Sequence, residues 1–431
     1  MLFAVLGPQP EEDGPASKAW GCAVHAARGQ GGLMDTCGRV CASGGVRQPG
    51  TLPGRRWMSG IPSSSLAVTA AGLLSLAGVA GCGSSRSEPS VASVGVPAPG
   101  AMAGSTIGGS GIPASAVLDG VAASSPRSAW VVGSQGPGIS SKTLTLRWTG
   151  TRWTQVPSPA PEMRSGLSGV AATSASNAWA VGMTSTSRGG QPLILHWDGS
   201  TWDQLPSPVR TPSGGLHDVS AISARDAWAV GVLDRPRYPV PLILHWDGTR
   251  WTQVASPVHG LGVLYSVAAV SATDAWAVGY GASASHPLIL HWDGTRWDQV
   301  PTPAVPGGSI LYGTAATSAS DAWAAGNTSN GKTVILRWNG ATWARTGSPT
   351  PATWSALDAV AATSASNAWA VGNTSMGTTL ILHWDGTRWA QVPSPSPRQG
   401  SGLYGVAATS ARDAWAAGEN LIIRWNGATW K

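Results

Sequence analysis

Tryptophan recurs in this chain at a nearly fixed period, and no other feature narrows the fold so far. An Ala-Trp pair returns at Trp130, Trp179, Trp228, Trp276, Trp323, Trp369 and Trp415, at spacings of 49, 49, 48, 47, 46 and 46 residues. A second Trp follows in Leu-Ile-Leu-His-Trp-Asp-Gly or a close variant, at Trp148, Trp197, Trp246, Trp292, Trp338, Trp384 and Trp425. The third comes five residues later, at Trp153, Trp202, Trp251, Trp297, Trp343, Trp389 and Trp430. These positions hold 21 of the 24 tryptophans, against one Phe and five Tyr, so the aromatic content belongs to a copied segment. Self-similarity at this period is the mark of a repeat architecture.

Each copy reads as four short strands separated by turn signals. In the fourth copy the strands are Leu264 to Val270, Ala275 to Gly279, Leu288 to Trp292 and Arg296 to Val300, with turns at Ser271-Ala272-Thr273-Asp274 and Asp293-Gly294-Thr295. The unit carries no helical period. Four strands in 46 to 49 residues predict an all-β fold over 112–431: a seven-bladed β-propeller of four-stranded antiparallel blades. A lone sheet of this kind exposes two apolar faces, and stacking the blades around an axis buries both. Small residues such as Val170-Ala171-Ala172 suit the crowded innermost strand, and Trp suits the wedge that widens outward. The seventh copy ends at Trp430-Lys431 and lacks the Gln-Val-Pro-Ser-Pro-like ending of the others. Its ring is expected to close by packing alone or with a piece near Val91 to Val96.

The hairpin His245-Trp246-Asp247-Gly248-Thr249-Arg250-Trp251-Thr252-Gln253-Val254 resembles the kelch and galactose-oxidase-like propellers. The run Asp274-Ala275-Trp276-Ala277-Val278-Gly279 is similar to tectonin-type lectin repeats and to Trp-rich propellers of exported actinobacterial proteins. The resemblance covers all seven units and implies a propeller, but it specifies no activity. Two departures matter: the kelch diglycine is reduced to one Gly (Gly182, Gly231, Gly279), and the Ser-x-Asp-x-Gly-x-Thr-Trp box of sialidases is absent.

Upstream of the repeats, Arg55 and Arg56 precede an uncharged stretch rich in Ala, Leu and Val from Ile61 to Leu76, which runs into Val79-Ala80-Gly81-Cys82. That ending resembles a bacterial lipobox, in which small residues expose the bond before a cysteine that becomes acylated. The expected organisation is an unstructured or mis-assigned segment over 1–54, a signal peptide over 55–81, and a lipid-anchored linker rich in Gly, Ser and Pro over 82–111. Cys82 is the lipidation site in this reading, and the mature protein is extracytoplasmic, a monomer held on the outer leaflet of the cell membrane. The other cysteines, Cys22, Cys37 and Cys41, lie before it, so no disulfide framework supports the propeller.

Charge excludes several partners. Only 11% of residues are charged, and 27 Lys+Arg against 21 Asp+Glu are spread thinly along the chain. No basic stripe offers the phosphate contacts of a nucleic-acid binder.

Comparing the seven copies separates scaffold from site. Val170 to Gly182 matches Val360 to Gly372 residue for residue. By contrast, the residue after the Leu that opens the first strand changes from copy to copy: Asp119, Ser168, His217, Tyr265, Tyr312, Asp358 and Tyr404. The second-to-third connection varies too, its Gly-to-Trp separations running 15, 15, 15, 13, 12, 12 and 7. All this variation is expected at one end of the channel, the top, where variable residues on a rigid frame favour binding. The candidate ligand site is therefore that set of seven, flanked by Arg235, Arg237 and Tyr238 of the loop Asp234-Arg235-Pro236-Arg237-Tyr238.

No cofactor or metal is expected. His196, His245, His291 and His383 recur before the second Trp, but equivalent positions on neighbouring blades lie on the order of 15 Å apart, given sheets packed about 10 Å apart. A zinc ion needs its nitrogens at about 2.1 Å, so these residues read as hydrogen-bonded parts of the blades. Galactose-oxidase chemistry needs a Cys that the repeats lack. Glycoside hydrolysis needs two carboxylates, and after Cys82 only Glu88, Glu162 and Glu419 join the aspartates, of which Asp119 and Asp358 could converge at the channel. The sequence thus points to a non-enzymatic module binding cell-envelope glycan or extracellular protein, with a hydrolase or lyase of extracellular polysaccharide as the alternative.

Overall fold

The computed structural model describes residues 112–431, apart from 114, 138, 139, 163, 188, 210–212, 284, 398 and 399. Cys82, the expected signal peptide and linker, and Val91 to Val96 lie outside the described residues. What is described is a seven-bladed propeller. Six blades are four-stranded antiparallel sheets in simple sequence order, and the seventh is a sheet of three strands, Leu403–Ser410, Asp413–Gly418 and Leu421–Trp425. In blade four the strands are Gly262–Ser271, Asp274–Gly281, Leu288–Trp292 and Trp297–Gln299, within a few residues of the expected bounds.

The second strand shows why the sequence does not alternate between polar and apolar. Both its faces are buried, each in a different core. Trp276 and Val278 enter the core shared with blade five, while Ala275 and Ala277 enter the one shared with blade three. A large face thus meets the small face of the next blade, and the same pairing repeats around the ring.

Tryptophan is shared between blades rather than clustered within one. Trp276 lies 5.0 Å from Trp338 and 5.1 Å from Trp343, the second contact edge-to-face at 87°. Each second-strand Trp reaches forward to the third- and fourth-strand pair of the following blade. The set closes on itself: Trp415 of blade seven lies 5.0 Å from Trp148 and 5.1 Å from Trp153 of blade one. The third-strand indoles also tie down the first turn of their own blades, as Trp292 Nε1 does by donating to the Ala272 carbonyl at 3.0 Å.

Among the described residues, hydrogen bonds at the ends of blades seven and one add to this packing. Arg424 N donates to Lys431 O at 2.8 Å and Lys431 N to Arg424 O at 3.0 Å, so the last two residues take the fourth-strand position of blade seven. Toward blade one, Arg424 Nη2 donates to Pro126 O at 3.1 Å, Val117 bridges to Glu419, and Ala116 N donates to Asn420 Oδ1 at 3.1 Å. Asn420 makes the tight connection after Gly418 with φ of 52°, a conformation Asn tolerates better than most residues.

Candidate functional site

A β-bulge interrupts the first strand of every blade at the same place. In blade four Leu264 pairs with Gly279 and Ser266 with Val278, so the register steps over Tyr265. The same shift skips Asp119, Ser168, His217, Tyr312, Asp358 and Tyr404. All seven variable positions are therefore bulge residues, and a bulge re-aims the side chain it carries. The glycine retained in each second strand accommodates this buckle. A Cβ on Gly279 would sit 1.9 Å from Val263 O, and one on Gly418 would sit 1.7 Å from Gly402 O.

The bulges bring all seven side chains to one axial cavity of about 130 Å³. His217, Tyr265, Tyr312 and Asp358 are buried, whereas Asp119, Ser168 and Tyr404 are half-buried. The next residue of each blade forms the throat. It is Gly or Ala in five blades, because neighbouring backbones nearly touch there: a Cβ on Gly169 would lie 2.6 Å from Asp218 Cα. Asp218 and Ser266 are the exceptions. Asp218 Oδ2 accepts from Ser266 Oγ at 2.7 Å and Val267 N at 3.1 Å, Oδ1 accepts from Val219 N at 2.9 Å, and Ser266 Oγ accepts from Thr314 N at 3.2 Å. This chain ties blades three, four and five together. Internal comparison could have found it, since Asp218 stands where most copies hold a small residue.

The two sides of the mouth differ chemically. On blades three to five the rings form an arc: His217 and Tyr265 stack at 5.1 Å and 18°, and Tyr265 lies 5.0 Å from Tyr312 and 6.1 Å from Tyr280. On blades six, seven and one the residues are Asp358, Tyr404 and Asp119. Asn373 Nδ2 donates to Asp358 Oδ2 at 3.2 Å. Burial pushes the Tyr404 hydroxyl well above the usual phenol range, and the charges of Glu419, Asp358 and Asp119, with a hydrogen bond to Glu419, push it further. Asp119 and Asp358 line the same cavity as Tyr404. Sequence reading missed Glu419 as a member; its signal was the unusually short blade-seven connection.

The blade-three loop enters differently from expectation. A lateral cavity of about 220 Å³ shares His217 and Tyr265 with the axial one, and the loop lines it through Asp234 and Pro239. Arg235, Arg237 and Tyr238 line neither cavity. Asp234 is anchored, its N donating to Ser213 O at 3.1 Å and its Oδ2 accepting from Ser213 Oγ at 2.5 Å, and Arg235 and Arg237 beyond it are exposed. Tyr280 and Met183, absent from the sequence reading, line this pocket instead.

The recurrent histidines are bound within their blades. Their Nε2 atoms meet the first residue of the second strand, Asn177, Asp226, Asp274 or Asn367, at 2.8 to 2.9 Å. Each ring also lies 4.1 to 4.3 Å from the second-strand indole. Arg337 takes the same place in blade five, gripping Asp321 Oδ1 with Nε at 3.0 Å and Nη2 at 2.9 Å, and donating to the Ala365 carbonyl of blade six at 2.9 Å. Among the described residues no three His, Cys, Asp or Glu side chains come close enough to hold a metal ion.

No protein-family model matches the chain, and no curated protein matches it either. Among solved structures it is similar to "YCF48 bound to D1 peptide", at 16% identity and TM-score 0.51 over 73% of this chain and 94% of that one. It is similar to YCF48 from Cyanidioschyzon merolae at 17% identity and TM-score 0.51, over 73% of this chain and 97% of that one. The GH74 xyloglucanase from Xanthomonas campestris is similar at 15% identity and TM-score 0.55, over 74% of this chain and 54% of the enzyme. At such identities the likeness is one of fold: the chain is a Trp-rich β-propeller whose structural neighbours include a peptide-bound protein and a glycoside hydrolase.

Proposed function

We propose that this propeller is a non-enzymatic binding module, exported and held to the cell envelope through Cys82, that takes an extracellular protein partner at its channel mouth. The observation that carries the reading is the gathering of seven bulge residues, different between copies, on a scaffold that otherwise repeats. A solved propeller-like neighbour with a bound peptide supports a protein partner. A cell-envelope glycan is the other outcome of the test. Arrays of envelope proteins and glycans probed with the full chain are expected to return a partner whose retention is lost in the Tyr265→Ala/Tyr312→Ala/Tyr404→Ala variant. Retention unchanged in that variant removes the mouth from the proposal. For the anchor, labelled palmitate is expected on the wild-type chain and absent from Cys82→Ser.

A second reading, hydrolysis or lysis of extracellular polysaccharide, draws on the carboxylates of Asp119, Asp358 and Glu419 around Tyr404. Release of reducing ends from an array-positive glycan, abolished in Asp358→Asn, would establish it over binding alone.

A further inference from the structure

The described residues supply only the opening of the fourth strand of blade seven. In blades three, four and six the residue three places after the fourth-strand Trp gives its N–H to the third strand: Val254 N to Ile243 O at 3.0 Å, Val300 N to Ile289 O at 3.0 Å and Val392 N to Ile381 O at 2.9 Å. The side chain at this place packs on the core shared with the next blade, as Val156, Leu205, Val254, Val300 and Val392 do. In blade seven Trp430 bridges to Trp425 and Lys431 pairs with Arg424, and no described residue stands at the following places. Arg424 N and O both engage Lys431, so the alternation of an antiparallel ladder turns Ile422 N and O toward the same edge. The core between blades seven and one, to which Ile422 belongs, correspondingly has no side chain from this strand among its described members.

The chain leading into blade one arrives at that gap. Ile112 packs on the same core, Ala116 N donates to Asn420 Oδ1 at 3.1 Å, and Val117 bridges to Glu419. Ile112 holds the place that Val305 holds between blades four and five. Each lies six residues before the first-strand Leu, Leu118 or Leu311, and each packs on the core between its two blades. Five residues before Val305 is Val300, and five before Ile112 is Ile107. The spacing of four found between Val254 and Val258 would fall on Gly108, which has no side chain to offer the core. Val96 lies 16 residues before Ile112, far outside either spacing.

We propose that Thr106-Ile107, outside the described residues, adds to the open edge of blade seven as the continuation of its fourth strand. Ile107 N donates to Ile422 O, and the Ile107 side chain covers the core between blades seven and one. An added strand gains main-chain hydrogen bonds along the edge and a pocket for its alternate side chain. It also removes an unpaired edge that would otherwise invite another chain. Where Cys82 carries the anchor proposed above, the tether departs from the outer wall of blade seven and leaves the channel mouth open to a partner.

Hydrogen exchange of the full chain, resolved to single amides by fragmentation in the mass spectrometer, tests this. The Ile107 amide is expected to exchange at least about tenfold more slowly than the Val96 amide, each corrected for its neighbouring residues. In thermal unfolding, Ile107→Asp is expected to lower the midpoint by about 2–4 °C and Val96→Asp to leave it unchanged. Exchange of Ile107 at the rate of an unstructured peptide overturns the proposal, and this reading on the wild-type chain decides even if Ile107→Asp does not fold. A drop on Val96→Asp with none on Ile107→Asp also overturns it, and gives the edge to Val91 to Val96 instead. Protection of Ile107 that disappears on dilution puts the segment on a second copy and overturns it as well.

Discussion

At the blade interfaces Trp276 sits between Trp338 and Trp343, and its six counterparts make the same contacts; at the channel mouth the seven bulge positions hold Asp, Ser, His or Tyr. Both sets recur once per blade, yet one admits a single residue type and the other four. The difference lies in what surrounds them. An interface indole is enclosed by side chains of two blades, most of them repeated, so another shape there leaves a void or a clash. A bulge residue stands outside the strand register and lines the axial cavity, so the strand ladder does not fix its identity.

The contrast can be broken first at the interface. Trp276→Ala, at a side chain that is fully buried, is expected to cost about 3–5 kcal/mol in urea unfolding. A loss under about 1 kcal/mol would mean the indole triads do not hold the ring.

Next comes the glycine that accommodates the bulge. Gly279→Ala drives a Cβ to 1.9 Å from Val263 O, and straightening or shifting the strand is expected to cost about 1–3 kcal/mol. Gly260→Ala, where nothing lies within 4 Å, is the matched control and should change stability by no more than about 0.5 kcal/mol. Equal effects at the two sites would show that the bulge does not depend on Gly279.

A smaller effect is expected from acid. The third-to-fourth turns contain Asp247, Asp293 and Asp385, held down to about 2 chiefly by Thr hydroxyl hydrogen bonds, and Asp198, held to about 2 first by the Thr201 N–H. Because these folded-state values lie below the unfolded value near 3.9, their stabilisation is present above about pH 4 and lost as pH falls toward 2. The thermal midpoint followed by tryptophan fluorescence should drop across that window. Replacing the four by Asn, which blades five and seven already use at Asn339 and Asn426, should flatten the drop.

The smallest change is expected at the mouth itself. Ser168→Asn, at a half-buried bulge position, should shift unfolding by no more than about 0.5 kcal/mol. A cost comparable to that of Trp276→Ala would mean the mouth is part of the scaffold and erase the distinction.

The blade count, the four-strand unit and the variable set were legible because each depends on local pattern: Trp spacing, turn residues, and differences between copies. The single glycine was visible as a departure from the diglycine pattern, but its reason was not, since the carbonyl it clears belongs to the neighbouring strand. Arg235, Arg237 and Tyr238 were placed by proximity in sequence to the rim, and the anchoring of Asp234 on Ser213 turns attention to Asp234 and Pro239. Glu419 reaches the site only because ring closure sets Val117 of blade one against it.

Sequence alone determined that this chain forms repeated four-stranded sheets with indole-rich faces, because periodicity and turn chemistry act within a few residues. Tertiary structure alone decided which blade each Trp serves, which side chains the bulges aim at the axis, and how an aromatic arc comes to face an acidic one. Those outcomes depend on contacts between residues tens to hundreds of positions apart, such as Ala116 with Asn420, and no local pattern encodes them.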